Sequence, residues 1–245
     1  MEEYRKEILT LWTENKELDI FQLSPLTYIP NSINFDTLVI GINPSNSFHS
    51  LKKVINSHLN EWNSKPVLEK IKTEEDYQKF LMFKNFHQNE ILIHDIQKYC
   101  HESHYHFYKQ KYFLKESHIQ KYDFLDLFPI WEIKQAKLIE NLSKSIQIEK
   151  HLTSSFINYL KRCKFIRLIF LNKSSFEIFS KYYGNLLEMK SPLRINTGGV
   201  YSRIILSGIL NLDDHKSKIY VVGIGGRNNN VKLINEINNI QFFKN

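Results

Sequence analysis

Four short apolar runs constrain the fold of this chain more than any other feature of its sequence. They lie at Phe35–Pro44, Tyr122–Ile130, Phe165–Leu171 and Lys218–Gly223. Short runs of apolar, β-branched and aromatic residues that end at Gly, Asn or Pro are typical of buried strands. Helical patterns follow between and after them, at 134–162, 173–187 and 229–239. Strands that alternate with helices build a sheet covered on both faces, so the sequence predicts a three-layer α/β/α fold with a central, mostly parallel sheet.

The rest of the chain predicts further helices. Residues Glu2–Glu17 place apolar side chains at helical spacing among charges, and Lys65–Phe86 also suits helices. Residues 97–122 have no clean period and predict a loop or a helical excursion, whereas Ile204–Leu210 predicts a helix. No Gly/Ser-rich linker divides the chain, so we expect a single α/β domain over residues 1–245, with the helix and loop of residues 1–30 packed on it.

The net positive charge of the chain indicates what kind of partner it could bind. The chain has 33 Lys and Arg against 26 Asp and Glu, a net charge of +7. This excess favours an anionic partner such as nucleic acid, although a lysine-solvated surface would give the same balance. No apolar run approaches the length of a membrane span, and the charged N-terminus does not suit a signal peptide. We therefore expect no membrane partner and a cytoplasmic location, nucleoid-associated in a bacterium.

Ligands of open parallel sheets bind beyond the carboxyl ends of the strands, which selects four places in this chain. They are Gly41–Phe48, Asp126–Pro129, Asn172–Ser175 and Gly223–Asn230.

The first of these places carries a resemblance. Gly41-Ile42-Asn43-Pro44-Ser45, directly after a strand, resembles the first motif of the uracil-DNA glycosylase superfamily, in particular its mismatch-specific and single-strand-selective branches. The later segments Asp126–Pro129, Phe165–Leu171 and Gly223–Asn230 follow in an order similar to that of the family's later motifs, and together they span most of the chain. The resemblance implies a uracil-DNA glycosylase-like fold and a DNA glycosylase that hydrolyses the N-glycosidic bond of uracil or of another deaminated or mismatched base. It implies DNA, single- or double-stranded, as partner, and neither metal nor cofactor.

Asn43 is the candidate catalytic residue. Cleavage of an N-glycosidic bond passes through an oxocarbenium-like state, so the attacking water needs orientation more than a strong base. The resemblance gives Asn43 this role. Asn-Pro-Ser is also a common turn and helix-start signal, in which Ser45 or Ser47 caps the next helix.

The candidate base pocket departs from the family at one position. A base acted on in DNA leaves the stack and is identified by stacking and by hydrogen bonds to its edge. The resemblance assigns the pocket to Gly41, Ile42, Pro44, Ser45, Phe48 and Asp126. Asp126 stands where the family has an Asn; an ionised carboxylate only accepts hydrogen bonds, so it would favour an amino-bearing base unless it is protonated. Alternatively, Phe48 is a core residue and Asp126 caps the loop before Pro129.

The last motif departs further, because Gly223 stands where the family has a His that stabilises the departing base. Without that His, catalysis would be slow, redirected or lost. Glycines let backbone N–H groups approach phosphate, and an arginine can pair with phosphate or act as a wedge. The candidate DNA-binding residues are Gly225, Gly226, Arg227, Asn228 and Arg203. A plain Gly-rich turn is the alternative for this loop.

Two other clusters favour structural explanations. One contains His94, Asp95, Cys100, His101, His104 and His106, whose spacing fits no standard zinc motif, so no metal is expected. The other is the aromatic and basic stretch of residues 105–115, which suits either single-strand binding or a satellite core. Three functions stay open: a glycosylase, a catalytically silent protein of that fold that binds nucleic acid or an unknown protein partner, and an α/β enzyme acting on a nucleotide or phosphorylated small molecule.

Overall fold

The computed structural model describes residues 2–25, 29, 35–42, 69–103, 105–130, 135–196, 202–224 and 230–243, with the backbone alone for 96–103, 105–108 and 135. The chain forms two compact units. The first consists of Met1–Ile29, Asn43–Phe107 and Phe128–Phe156, and the second of Pro30–Ile42, Tyr108–Leu127 and Ile157–Asn245. The prediction of a single domain over residues 1–245 stays a prediction.

The second unit contains a seven-stranded sheet, which confirms the predicted α/β class. Its strands are β1 (Thr37–Gly41), β2 (Tyr122–Asp126), β3 (Arg167–Phe170), β4 (Leu187–Met189), β5 (Leu193–Ile195), β6 (Arg203–Leu212) and β7 (His215–Val221). Their order is β2-β1-β3-β7-β6-β4, and β5 pairs with β6 beside β4. All four predicted strands are present, as β1, β2, β3 and β7.

Those four strands form the parallel half of the sheet. Strand β1 pairs with β2 and β3, and β3 pairs with β7, all in parallel. Their central residues, such as Leu38, Leu168 and Ile219, are fully buried. Burial on both faces explains why each strand is a nearly continuous apolar run in the sequence. The carboxyl ends of all four strands consequently lie along one edge of the sheet.

The other half is antiparallel, so the sheet is mixed. Strand β6 pairs with β7 in a hairpin, and β4 and β5 pair with β6. The helix predicted for Ile204–Leu210 is therefore wrong, because this segment is the centre of β6. Its run of isoleucines and leucines fits a strand or a helix equally by periodicity, and its pairing with β7 decides the outcome.

A bulge joins β4 and β5 into one bent edge strand. Met189 pairs with Gly208, and Leu193 pairs with Ile205. Between these two pairs the edge strand advances by four residues and β6 by three. The extra residue lies in the stretch Lys190–Pro192, where the backbone N–H of Lys190 donates to the carbonyl of Ser207 at 2.9 Å. Bulges and proline are both typical of edge strands.

Helices accompany the sheet in the second unit. They are the larger part of α4 (Tyr105–Glu116), the end of α6 (Ile146–Cys163), α7 (Lys173–Tyr183) and α8 (Asn230–Asn239). The side chain of Asn238 donates to the carbonyl of Glu116 at 2.9 Å, which ties α8 to α4. The turn between β6 and β7 is tied to the end of α6 by ion pairs of Lys161 with Asp213, at 2.7 Å, and of Lys164 with Asp214, at 2.6 Å.

The first unit is helical in its described residues. It contains α1 (Glu2–Glu14), α2 (Glu74–Leu81), α3 (Phe86–Ser103), the first residues of α4, α5 (Gln135–Ser143) and the start of α6. The predicted amphipathic helix near the N-terminus is confirmed as α1, and residues 97–122, whose period was unclear, are largely helical. The Trp12 indole N–H donates to the Leu23 carbonyl at 2.7 Å, and Arg5 pairs with Glu90. Among the described residues, no helix has the length and apolarity needed to cross a membrane.

Candidate functional site

The candidate site residues from the sequence divide between described and undescribed parts of the chain. Gly41, Ile42, Asp126, Arg203 and Gly223 are described. The predictions for Asn43, Pro44, Ser45 and Phe48, and for Gly225, Gly226, Arg227 and Asn228, fall outside the described residues.

Gly41 and Asp126 form the centre of the candidate site. They are register partners at the carboxyl ends of the neighbouring parallel strands β1 and β2. The carboxyl of Asp126 lies against the Cα of Gly41, so a Cβ built at Gly41 would overlap the Asp126 Oδ1. The Leu127 N–H donates to the Gly41 carbonyl at 3.2 Å and extends the pairing past the strands. Glycine is therefore required at position 41 by the carboxyl that occupies the space beside it.

The Asp126 carboxyl is held in a desolvated position. Asp126 is half-buried, and its carboxyl packs against Gly41 at the end of the neighbouring strand. Burial raises the pKa of Asp126 from 3.8 to about 7, because the charged form loses its hydration. Among the residues that the structure describes, no cation or hydrogen-bond donor offsets this cost. Strongly raised pKa values of this kind cluster at functional sites.

A carboxyl with a pKa near 7 has two binding modes. The neutral acid offers one O–H donor and one carbonyl acceptor, like an amide, whereas the carboxylate only accepts. Near neutral pH both forms of Asp126 are populated. The sequence left open whether Asp126 is ionised, and the desolvation favours the protonated alternative.

Arg203 and Gly223 meet elsewhere along the same edge of the sheet. The Arg203 Nη1 donates to the Gly223 carbonyl at 2.6 Å. A Cβ built at Gly223 would meet no described atom within 4 Å, so packing in the described part of the chain does not require glycine there. Strand β6 starts where the parallel strands end, and four strand spacings separate it from β2. At about 4.8 Å per spacing, Arg203 lies roughly 19 Å from Asp126. The two residues belong to one edge and not to one pocket.

The polar residues after β3 have a structural role. The Asn172 side chain accepts from the backbone N–H of Ser174 at 2.9 Å and caps α7, and the Ser175 hydroxyl donates to the Asn172 carbonyl at 2.6 Å. These contacts account for the polar residues at the carboxyl end of β3, so this candidate place needs no ligand to explain it.

The histidine-rich cluster adds no metal site within the described residues. His94 and Asp95 lie on α3, and the side chains of Cys100, His101, His104 and His106 fall outside the described part. No group of three or more His, Cys, Asp or Glu side chains suited to a metal occurs in the part that is described.

Two cationic residues were missed by sequence reasoning. Arg194 of β5 is the register partner of Ile204, and Lys190 lies further along the same bent edge strand, opposite Ser207. Residues 187–195 form strands of only three residues each, whose sequence gives no signal until β6 is known to be their partner.

Comparison of the chain with protein-family models, curated proteins and solved structures finds no match.

Proposed function

We propose that the chain is a DNA base-excision glycosylase-like protein with a three-layer, uracil-DNA glycosylase-like fold. The observation that carries the proposal is the pairing of Gly41 with Asp126. It places a desolvated carboxyl beside the end of the strand that precedes the Gly-Ile-Asn-Pro-Ser motif.

Asp126 is proposed to recognise the base in its neutral form. Uracil, hypoxanthine and xanthine each present a ring N–H beside a carbonyl. The Asp126 O–H can donate to that carbonyl while its C=O accepts from the ring N–H. This pair of bonds matches what the family's amide would make at the same position. The ionised form would instead repel the base carbonyl, so base recognition requires the proton.

The reaction follows from the chemistry of the bond. Water attacks the sugar C1′, the bond from C1′ to the base nitrogen breaks, and the base leaves with the bonding electron pair. The water loses a proton and the base anion gains one, so an abasic sugar and free base result. Asn43 is proposed to hold the water through its side-chain oxygen, since a developing oxocarbenium needs an oriented nucleophile.

The first test is a base-release assay. Labelled single- and double-stranded oligonucleotides carrying uracil, a thymine mismatch, hypoxanthine or xanthine are incubated with the protein and then treated with alkali to reveal abasic sites. Cleavage that disappears in Asn43→Ala is the expected result. Cleavage that persists in Asn43→Ala, or no cleavage of any substrate, would contradict the proposal.

Gly223 favours a second candidate, a catalytically silent protein of the same fold that binds nucleic acid. The residue lacks any side chain to help the departing base, and no described atom lies within 4 Å of where its Cβ would be. Gly223→His should therefore fold normally. If the wild type is silent only because this side chain is missing, the variant should gain base release in the same assay, with Gly223→Ala as matched control. A variant as inactive as its control would argue against this explanation of the silence.

A further inference from the structure

Both carboxyl oxygens of Asp126 are available to a ligand within the described part of the chain. The residue is half-buried at the end of β2, and its side chain makes no hydrogen bond or ion pair with another described residue. Its Oδ1 lies against Gly41, and its Oδ2 lies 4.0 Å from the position that a Cβ of residue 41 would take. No contact among the described residues therefore supports the alternative in which Asp126 caps the loop before Pro129.

The strands around this carboxyl place no charged group beside it. Among the described strands, β2 pairs with β1 alone, and Thr37–Gly41 contains no titratable residue. On β2 itself, Tyr122 shares the face of Asp126 but lies roughly 13 Å away at the usual rise of a strand. Asp123 lies on the opposite face, because side chains alternate along a strand.

Other groups near the parallel strands are also too distant or uncharged. Asp36 and Arg167 pair at 2.8 Å, but they lie at the amino ends of β1 and β3, at the other end of the sheet. Leu127–Ile130, which follow β2, have no titratable side chain. Burial is accordingly the one cause that raises the pKa of Asp126. A ligand must supply the partner that each form of the carboxyl needs.

The two forms of a carboxyl fit different edges of a base. The neutral acid has one donor and one acceptor, so it pairs with an N–H beside a carbonyl, as in hypoxanthine. The carboxylate only accepts, so it pairs with two neighbouring donors, as it does with the fork of an arginine. Guanine has such an edge, because its ring N–H stands beside its amino group. Hypoxanthine is guanine without that amino group.

We propose that Asp126 gives the base site two specificities: the neutral carboxyl takes an N–H beside a carbonyl, and the carboxylate takes an N–H beside an amino group. The inference rests on the proposed function in taking a nucleobase as the ligand. It adds a second class of base, because an edge like that of guanine enters the site in the form that rejects uracil. An amide at this position could not change in this way, since its donor and its acceptor are fixed.

A buried carboxyl that meets no ligand is the competing explanation. In that case, pH would change the stability of the fold through Asp126. The relative binding of two bases would stay the same at every pH.

The test compares two labelled single strands that differ only at one central nucleotide, which carries hypoxanthine or guanine. The other positions lack bases, so only the central base can enter the site. A 2′-fluoro sugar at that nucleotide resists hydrolysis, because fluorine destabilises an oxocarbenium-like state, and binding is measured without base release. Fluorescence anisotropy gives Kd at pH 6, 7 and 8, below the ionisation of either ring N–H. The variants are Asp126→Asn and, as matched control, Asp213→Asn, which loses a carboxylate at the opposite end of the sheet.

The wild type should change its preference with pH. Because only the neutral fraction of Asp126 binds hypoxanthine, the Kd of that strand should rise about tenfold from pH 6 to pH 8. The Kd of the guanine strand should not rise, since the carboxylate accepts from both of its donors. Asp213→Asn should behave like the wild type, whereas Asp126→Asn should keep one preference at every pH.

Three results would overturn the inference: a wild-type preference that is the same at pH 6 and pH 8, a shift in preference that persists in Asp126→Asn, or a wild type that binds neither strand. Circular dichroism of Asp126→Asn separates weak binding from misfolding. Release of uracil by the wild type with an unchanged preference would sink this inference and leave the proposed function standing. A shift in preference with no base release from any substrate would do the reverse.

Discussion

At the scale of single residues, the carboxyl of Asp126 makes stability depend on pH. The native state holds the proton up to a pKa of about 7, whereas the ordinary value is 3.8. Between these values the native state binds more protons than the unfolded chain, so the free energy of unfolding falls as pH rises from about 4 to 7. Asp126→Asn removes this loss. We expect the variant to be more stable than wild type at pH 8, by up to about 4 kcal/mol, and equal to it near pH 4.

Urea unfolding at pH 4 and pH 8 checks this prediction, with Asp213→Asn as a control on the surface. A difference between wild type and Asp126→Asn that stays constant over this range would show that the carboxyl is solvated.

Gly41 and Asp126 should also be coupled energetically. Alanine at position 41 would overlap the Asp126 carboxyl and force that side chain out of its place. Asp126→Ala removes the obstacle, so the double variant should accommodate the methyl group. A double-mutant cycle measured by urea unfolding at pH 5, where Asp126 is neutral, should give a coupling of about 0.5–3 kcal/mol. Additive effects would mean that the two residues do not share this space.

At the scale of elements, alanine should destabilise the fold at one glycine and be tolerated at another. A Cβ at Gly208 in β6 would lie 2.6 Å from the Glu188 carbonyl oxygen and from the Met189 Sδ of β4. Because the backbone of β4 would have to move, we expect Gly208→Ala to cost about 1–3 kcal/mol. Gly223→Ala, with no described atom within 4 Å of its Cβ, should change stability by less than about 0.5 kcal/mol. Thermal or urea unfolding compares the two, and equal effects would contradict the prediction.

The elements that the sequence predicts are those whose burial follows from their own residues. Strands β1, β2, β3 and β7 are apolar runs because both of their faces are covered. Strand β6 is not distinguishable from a helix in this way, since Ile204, Ile205 and Leu206 followed by Ile209 and Leu210 fit both periods. Strands β4 and β5 have no strand pattern of their own in the sequence and can be recognised only from their pairing with β6.

The candidate site is predictable to a similar extent. The rule that ligands bind beyond the carboxyl ends of parallel strands located Gly41, Asp126 and Gly223, because strand ends are visible in the sequence. It could not show that Gly41 leaves room for a carboxyl, that Asp126 is desolvated, or that Arg194 lies opposite Ile204, since each depends on a strand pairing distant in sequence.

At the scale of the whole molecule, the proposed activity should follow the protonation of Asp126. Base release from uracil-containing DNA requires the neutral acid, so its rate should fall about tenfold per pH unit above a pH of about 7. Asp126→Asn cannot ionise and should lose this decline. The rate of abasic-site formation between pH 5 and 9 checks the prediction, and a wild-type rate that rises through pH 8 would contradict it.

The long sequence separation of the strand pairs has a consequence for synthesis on the ribosome. Thr37 of β1 pairs with Tyr122 of β2 and with Arg167 of β3. At translation rates of about 5–20 residues per second, β1 therefore waits roughly 4–17 s for its first neighbour. During that interval an apolar strand, whose Leu38, Val39 and Ile40 are buried in the finished protein, is present without its partner. Slow translation between residues 41 and 122 should lengthen the time in which the nascent chain needs a chaperone.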